Sequence, residues 1–152
     1  FVDKFDRVFH RQDVALLVDD EAEFLKTLSE RMRARGMEVS TAESGKEALA
    51  KVEEGAYDAV VLDLQMPGMD GLEALRILKE KDPKLQVILL TGHATVEKGV
   101  EAIKRGAMDL LEKPANIDTL KQKIQEASAR RLVLVSQEAE EKVKDIIASK
   151  GW

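Results

Sequence analysis

The chain has 152 residues, 44% of them hydrophobic, which suits one domain with a full core. Lysine and arginine number 24 against 29 aspartates and glutamates, and the net charge of -5 argues against a surface built mainly to grip nucleic-acid phosphates. The absence of cysteine excludes disulfides, thiol catalysis and thiolate metal sites, and is compatible with a reducing cytoplasm. No apolar run approaches the roughly 20 residues needed to cross a bilayer, and Phe1–His10 lacks the basic-then-apolar order of a signal peptide. We expect a cytoplasmic protein with no membrane contact.

Residues 1–12 precede the first apolar run, Val14–Val18, which ends on Asp19, Asp20 and Glu21. Phe24, Leu25, Leu28 and Met32 then recur at helical spacing until Gly36, a natural helix stop. A short strand over 37–41 is followed by a helix from Ser44 through Ala48, Leu49 and Val52 to Gly55. The strand over 58–63 carries the apolar run Ala59–Leu62, ends on Asp63 and runs into the turn Met66-Pro67-Gly68-Met69-Asp70-Gly71. Leu72, Leu75, Ile77 and Leu78 mark the next helix, broken at Asp82-Pro83 before the strand over 86–91, which ends on Thr91. Thr95 caps a helix carrying Val96, Val100 and Ile103, closed by Gly106. The fifth strand, 108–112, leads into Lys113-Pro114, and from Asn116 or Ile117 the chain reads as helix, with Leu120, Ile124 and Ala127 on one face.

Five alternations of apolar strand and amphipathic helix predict a doubly wound α/β fold with a five-stranded parallel sheet covered on both faces, because parallel strands need crossover helices. Functional crevices in such sheets lie beyond the carboxyl ends of the strands, where the winding reverses. For the strand order 2-1-3-4-5 that point falls between the first and third strands, which carry Asp19, Asp20 and Asp63. Converging carboxylates repel one another unless a cation lies among them, and hard oxygen donors suit Mg²⁺. Thr91 and Lys113 add a hydroxyl and an ammonium at two further strand ends.

These residues, in this order and on these strands, resemble the receiver domain of two-component response regulators. The resemblance covers roughly residues 13–126 and rests on Asp19-Asp20, Asp63 with the Met66–Gly71 turn, Thr91-Gly92 and Lys113-Pro114. It implies the strand order 2-1-3-4-5. It further implies that Asp63 accepts a phosphoryl group from a sensor histidine kinase or phosphotransfer protein, giving an acyl phosphate. Mg²⁺ would be held by Asp19, Asp20, Asp63 and the backbone carbonyl of Gln65, while Lys113 and Thr91 would contact phosphoryl oxygens. Gln65, Gly92 and His93 stand where family side chains tune phosphoryl lifetime, and the bond before Pro114 is expected to be cis. Thr91 would belong to the switch, with the fifth-strand position three before the lysine. That position is aromatic in many members and is Leu110 here, which puts the usual aromatic rotamer switch in question.

A receiver would end near residue 126, so we divide the chain into an N-terminal segment (1–12), a receiver (13–126) and an amphipathic helical extension (127–152). In the extension Leu132, Val135, Ala139, Val143 and Ile146 follow helical spacing, opposite a polar face of mixed charge. Such a helix can fold back on its own receiver, pair with a second copy as a homodimer, or dock on a downstream protein. It is too short for a helix-turn-helix output domain, and no direct nucleic-acid binding is expected of this chain.

Three other functions compete. A haloacid-dehalogenase-like phosphohydrolase also uses an aspartate after a strand, but requires a second Asp two residues on, where this chain has Gln65. A flavin-binding relative of the fold would need a Ser/Thr/Gly phosphate loop after the first strand, where this chain has Asp19-Asp20-Glu21. A constitutive interaction module that keeps the fold without using phosphorylation is opposed by the complete set of acids, threonine and lysine. The expectation is a phosphoacceptor signalling domain, not a multiple-turnover enzyme, capable at most of self-phosphorylation and slow autodephosphorylation.

Overall fold

The computed structural model describes residues 12–92 and 94–151. Its strands are β1 (Val14–Val18), β2 (Glu38–Ala42), β3 (Ala59–Leu62), β4 (Gln86–Thr91) and β5 (Asp109–Glu112). Between and after them run α1 (Ala22–Ala34), α2 (Gly45–Glu54), α3 (Gly71–Lys81), α4 (Val96–Lys104) and α5 (Ile117–Ser149). All pairings are parallel, in the order β2-β1-β3-β4-β5. Among the described residues no helix is long and apolar enough to cross a membrane.

Side chains alternate across a strand, so each sheet face collects every second residue. Leu16, Val18, Val60, Leu62, Val87 and Leu89 pack in one layer with Ala48 of α2, Leu75 and Leu78 of α3 and Ala102 of α4. Ala15, Leu17, Ala59, Val61, Ile88 and Leu90 pack in the other with Leu25, Leu28 and Met32 of α1 and Leu120 and Ile124 of α5. With both faces covered, β1, β3 and β4 read as unbroken apolar runs. The edge strand β2 is buried only at Val39 and Ala42.

Helix starts are specified locally. Ser44, Asp70 and Thr95 each accept a hydrogen bond from the backbone N–H three residues on, and Asn116 accepts from Asp118 and Thr119. The observed β2 begins one residue later than the predicted 37–41, because Met37 is taken into the turn that closes α1 and donates to Met32 O. The stripe on α4 also differs from its simplest reading. Val96, Val100 and Ile103 are exposed, by 84, 48 and 53%. The inward side of α4 is made of small residues: Ala102 is fully buried, and a Cβ built on Gly99 would lie 3.3 Å from Leu110 Cδ2. Close approach by small residues leaves the bulky ones facing out.

The last helix is continuous. Its 33 residues run from the receiver-like core into the extension without a break, and its last buried residue is Ala127. Arg131 is paired with Asp82 at 2.9 Å and Glu138 with Lys84, so the first turns beyond Ala127 are tied to the segment between α3 and β4. Leu132, Val133, Val135, Val143 and Ile146 are exposed. The extension therefore does not fold back as a separate helix.

Candidate functional site

Register delivers the site. Val18 stands opposite Leu62, so the residues that follow, Asp19 and Asp63, leave the sheet side by side. Asp63 N donates to Val18 O and Asp19 N to Ala42 O, both at 3.1 Å, which fixes the two backbones at the sheet's carboxyl edge. Asp19 and Asp63 are buried, whereas Asp20 is exposed. Each of the three offers a carboxylate oxygen, and these oxygens all lie within 4.8 Å of one another.

The acids are held from two sides. Asp19 Oδ1 accepts from Glu21 N at 2.9 Å and Asp63 Oδ1 from Gln65 N at 3.2 Å, local turns that aim the opposite oxygens across the strand ends. Into that space comes Lys113. Thr91 stands opposite Glu112 in the β4–β5 ladder, and Lys113 N donates to Thr91 O at 2.8 Å, so the lysine leaves the sheet one residue beyond the buried threonine. The Lys113–Pro114 peptide is cis. Lys113 Nζ donates to Asp19 Oδ2 at 2.5 Å and to Asp63 Oδ2 at 3.3 Å. Burial works against its charge, but the hydrogen bond and charge of Asp19, with those of Asp63, outweigh burial and hold the ammonium above the ordinary lysine value.

The resulting cleft, about 190 Å³, is lined by Asp20, Glu21, Asp63, Gln65, Gly92 and Lys113. A larger apolar hollow of about 540 Å³ lies along α5 near Gln86, the first residue of β4, and has no carboxylate in its lining. Asp20, Asp63 and Lys113 all border the smaller one. Its donors are all oxygens on closely spaced carboxylates, a set that fits a hard divalent cation such as Mg²⁺ better than zinc or copper. Leu110, on β5, is half-buried against the α2–α4 layer. His93 lies outside the described residues, as do residues 1–11 of the N-terminal segment.

Two further contributors have no role in the sequence reading: Phe24, which lies outside the motifs, and Gly71, which closes one of them. The ring of Phe24, on α1, lies beneath Lys113 with its centroid 4.1 Å from Nζ. Gly71 opens α3 directly against the backbone of the site: a Cβ there would stand 2.4 Å from Leu64 Cα and 2.5 Å from Asp63 O. Its position in a Pro-Gly turn after a strand hints at close approach, but nothing in Phe24's helical spacing separates it from ordinary core.

A family model described as the response regulator receiver domain matches residues 15–125. The chain belongs to the response regulator receiver family. This receiver is 36% identical over 119 residues to the transcriptional regulatory protein ZraR of Escherichia coli O157:H7, an alignment covering 78% of this chain and 27% of that one. Among solved structures, a receiver domain protein from Clostridium thermocellum superposes with a TM-score of 0.76 at 34% identity, covering 80% of this chain and 98% of that one. A beryllofluoride-activated NtrC4 receiver domain, described as a dimer, superposes with a TM-score of 0.73 at 36% identity, covering 78% and 98%. The chain spans about a quarter of the length of the curated relatives it matches. Receivers are signalling domains of two-component systems, and their general function depends on phosphorylation.

Proposed function

We propose that this receiver is a cytoplasmic phosphoacceptor switch in which Asp63 takes a phosphoryl group from a sensor histidine kinase or phosphotransfer protein. The observation that carries the reading is the Asp63 carboxylate itself: nearly buried, open to a small cleft at the sheet's carboxyl edge, and set among Asp19, Asp20 and Lys113. An Asp63 oxygen attacks phosphorus, and the phosphorus–nitrogen bond of the phosphohistidine breaks as the new phosphorus–oxygen bond forms, the electron pair leaving with the imidazole. Asp19, Asp20, Asp63 and the Gln65 carbonyl would hold Mg²⁺. Bound there, the metal supplies charge neutralisation between carboxylates and phosphoryl oxygens. Lys113 pairs with one phosphoryl oxygen and Thr91 donates to another. Gln65 and Gly92 line the cleft through which water reaches the acyl phosphate, and by the family resemblance they and His93 tune its slow hydrolysis.

The phosphorylated and free states differ in which protein contacts they favour. We assign the receiver to residues 13–126 and the output contact to the helical extension, whose exposed apolar residues and mixed charges suit a second copy of the chain or an unidentified downstream protein. Leu110 takes the place of the switch aromatic, repacking against Gly99 when Thr91 moves.

Intact-mass spectrometry after incubation with acetyl phosphate and Mg²⁺ tests the proposal. We expect one Mg²⁺-dependent adduct of about 80 Da, the mass of a phosphoryl group, absent from Asp63→Ala. No adduct at any time with Mg²⁺ present would overturn it in favour of a constitutive interaction module.

A further inference from the structure

Lys113 is held on three sides. Asp19 Oδ2 and Asp63 Oδ2 accept two of its hydrogen bonds, at 2.5 and 3.3 Å, and the Phe24 ring, 4.1 Å from Nζ, covers a third. The lysine side chain is 16% exposed. Phe24 is itself anchored, half-buried against the α1–α5 core layer. An ammonium over an aromatic face is attracted by the ring quadrupole, and the attraction grows as water is excluded. It tolerates sliding across the face, which a hydrogen-bond acceptor does not.

We propose that Phe24 is a positioning residue for phosphoryl transfer, its ring serving as the platform on which the Lys113 ammonium is kept at the Asp19–Asp63 gap and along which it turns from Asp19 toward an incoming phosphoryl oxygen. The inference rests on the reading of Asp63 as phosphoacceptor and adds to it a residue that touches neither substrate nor metal. An aliphatic residue of similar size would fill the core equally well but offer the ammonium no attraction. The lysine would then be freer to leave the gap, and transfer would slow while donor binding stayed the same.

The experiment measures the rate of adduct formation from acetyl phosphate and Mg²⁺ in the native chain, Phe24→Leu, Phe24→Tyr, Lys113→Met and the Phe24→Leu/Lys113→Met double variant. Separately, the ring-current shift of the Lys113 ε-methylene is read by NMR in lysine-labelled protein. We expect Phe24→Leu to lower the limiting rate constant of adduct formation about three- to tenfold, as the strength of such contacts implies, with little change in the acetyl phosphate concentration that gives half that rate. Phe24→Tyr restores the rate, and Phe24→Leu costs nothing further once Lys113 is methionine. The upfield ring-current shift is present in the native chain and lost in Phe24→Leu. A native rate in Phe24→Leu, a Phe24→Tyr variant as slow as Phe24→Leu, or an equal loss in the Lys113→Met background would each overturn the assignment. If the native chain forms no adduct, the phosphoacceptor reading fails on its own. A native Lys113 without a Phe24-dependent ring-current shift would still refute the platform.

Discussion

Replacing Lys113 with methionine removes the ammonium while keeping most of the side chain's bulk, and leaves Asp19 and Asp63, with side chains 2 and 8% exposed, facing each other. At an effective dielectric of about 20, unit charges 3.3 Å apart attract by about 5 kcal/mol before dehydration is counted. Stripping one partner from a buried pair costs about 3–5 kcal/mol, and the lower figure applies to a lysine that retains some contact with water. About 3 kcal/mol in a domain of this size corresponds to a fall of about 6–12 °C in Tm, measured in EDTA. Mg²⁺ bound at these acids, as proposed, would offset part of that loss. In the native chain the cation must draw Asp19 and Asp63 away from an ammonium. In Lys113→Met it does not, so its affinity rises, tenfold for every 1.4 kcal/mol or so of competition relieved. Thermal melts with and without Mg²⁺, paired with calorimetric titration of the metal, measure both effects. A variant with native Tm in EDTA and unchanged Kd for Mg²⁺ would refute the claim that Lys113 neutralises the acidic cluster.

Two further outcomes follow, one from a contact beside the site and one from a contact away from it. Gly71→Ala brings a Cβ within 2.4 Å of Leu64 Cα and 2.5 Å of Asp63 O, both backbone atoms that cannot swing aside. We expect a loss of about 3 kcal/mol in urea denaturation, and a loss no larger than an ordinary helix substitution would contradict the close approach. At the other end of the sheet, burial disfavours the Asp82 carboxylate, but the hydrogen bond and charge of Arg131 outweigh burial and hold it below its usual value of 3.8. A depressed folded value means the stabilisation is complete above pH 3.8 and is lost as pH falls through the folded value. Arg131→Ala should therefore cost about 1 kcal/mol near neutrality and progressively less in acid, and a difference from native that stays constant across that range would exclude the linkage.

Much of this protein was legible in its residues because two signals coincided. Buried parallel strands leave continuous apolar runs, and Ser44, Asp70, Thr95 and Asn116 mark helix starts through their own side-chain hydrogen bonds. The acids, the threonine and the lysine are readable because each sits at a strand end. What escaped reading depends on distances that periodicity does not encode. Val96, Val100 and Ile103 look like a core stripe, yet Gly99 and Ala102 face inward because α4 packs closely against β5. Phe24 has the spacing of Leu25, Leu28 and Met32, and only the path of β5 past the carboxyl edge brings a cation over its ring. Asp58 reads as the first residue of a strand over 58–63, whereas it precedes β3 and its buried carboxylate accepts from Val14 N at 2.9 Å, tying β3's approach to the start of β1.

The continuity of α5 turns chain length into angle. From Ala127 to Ser149 the helix extends 22 residues, roughly 33 Å at 1.5 Å per residue. Each residue also advances about 100° around the axis. The compass bearing of Val143 and Ile146 is thus geared to that of Leu120 and Ile124, which are locked in the core. A small roll of α5 against the sheet swings the distal residues through the same angle, and a shift along its axis moves them the same distance. Removing one residue beyond Ala127 would turn everything distal to it by more than a quarter circle while leaving its composition almost unchanged. A partner gripping the far end would therefore read the phase of a shaft as well as the sequence of a surface.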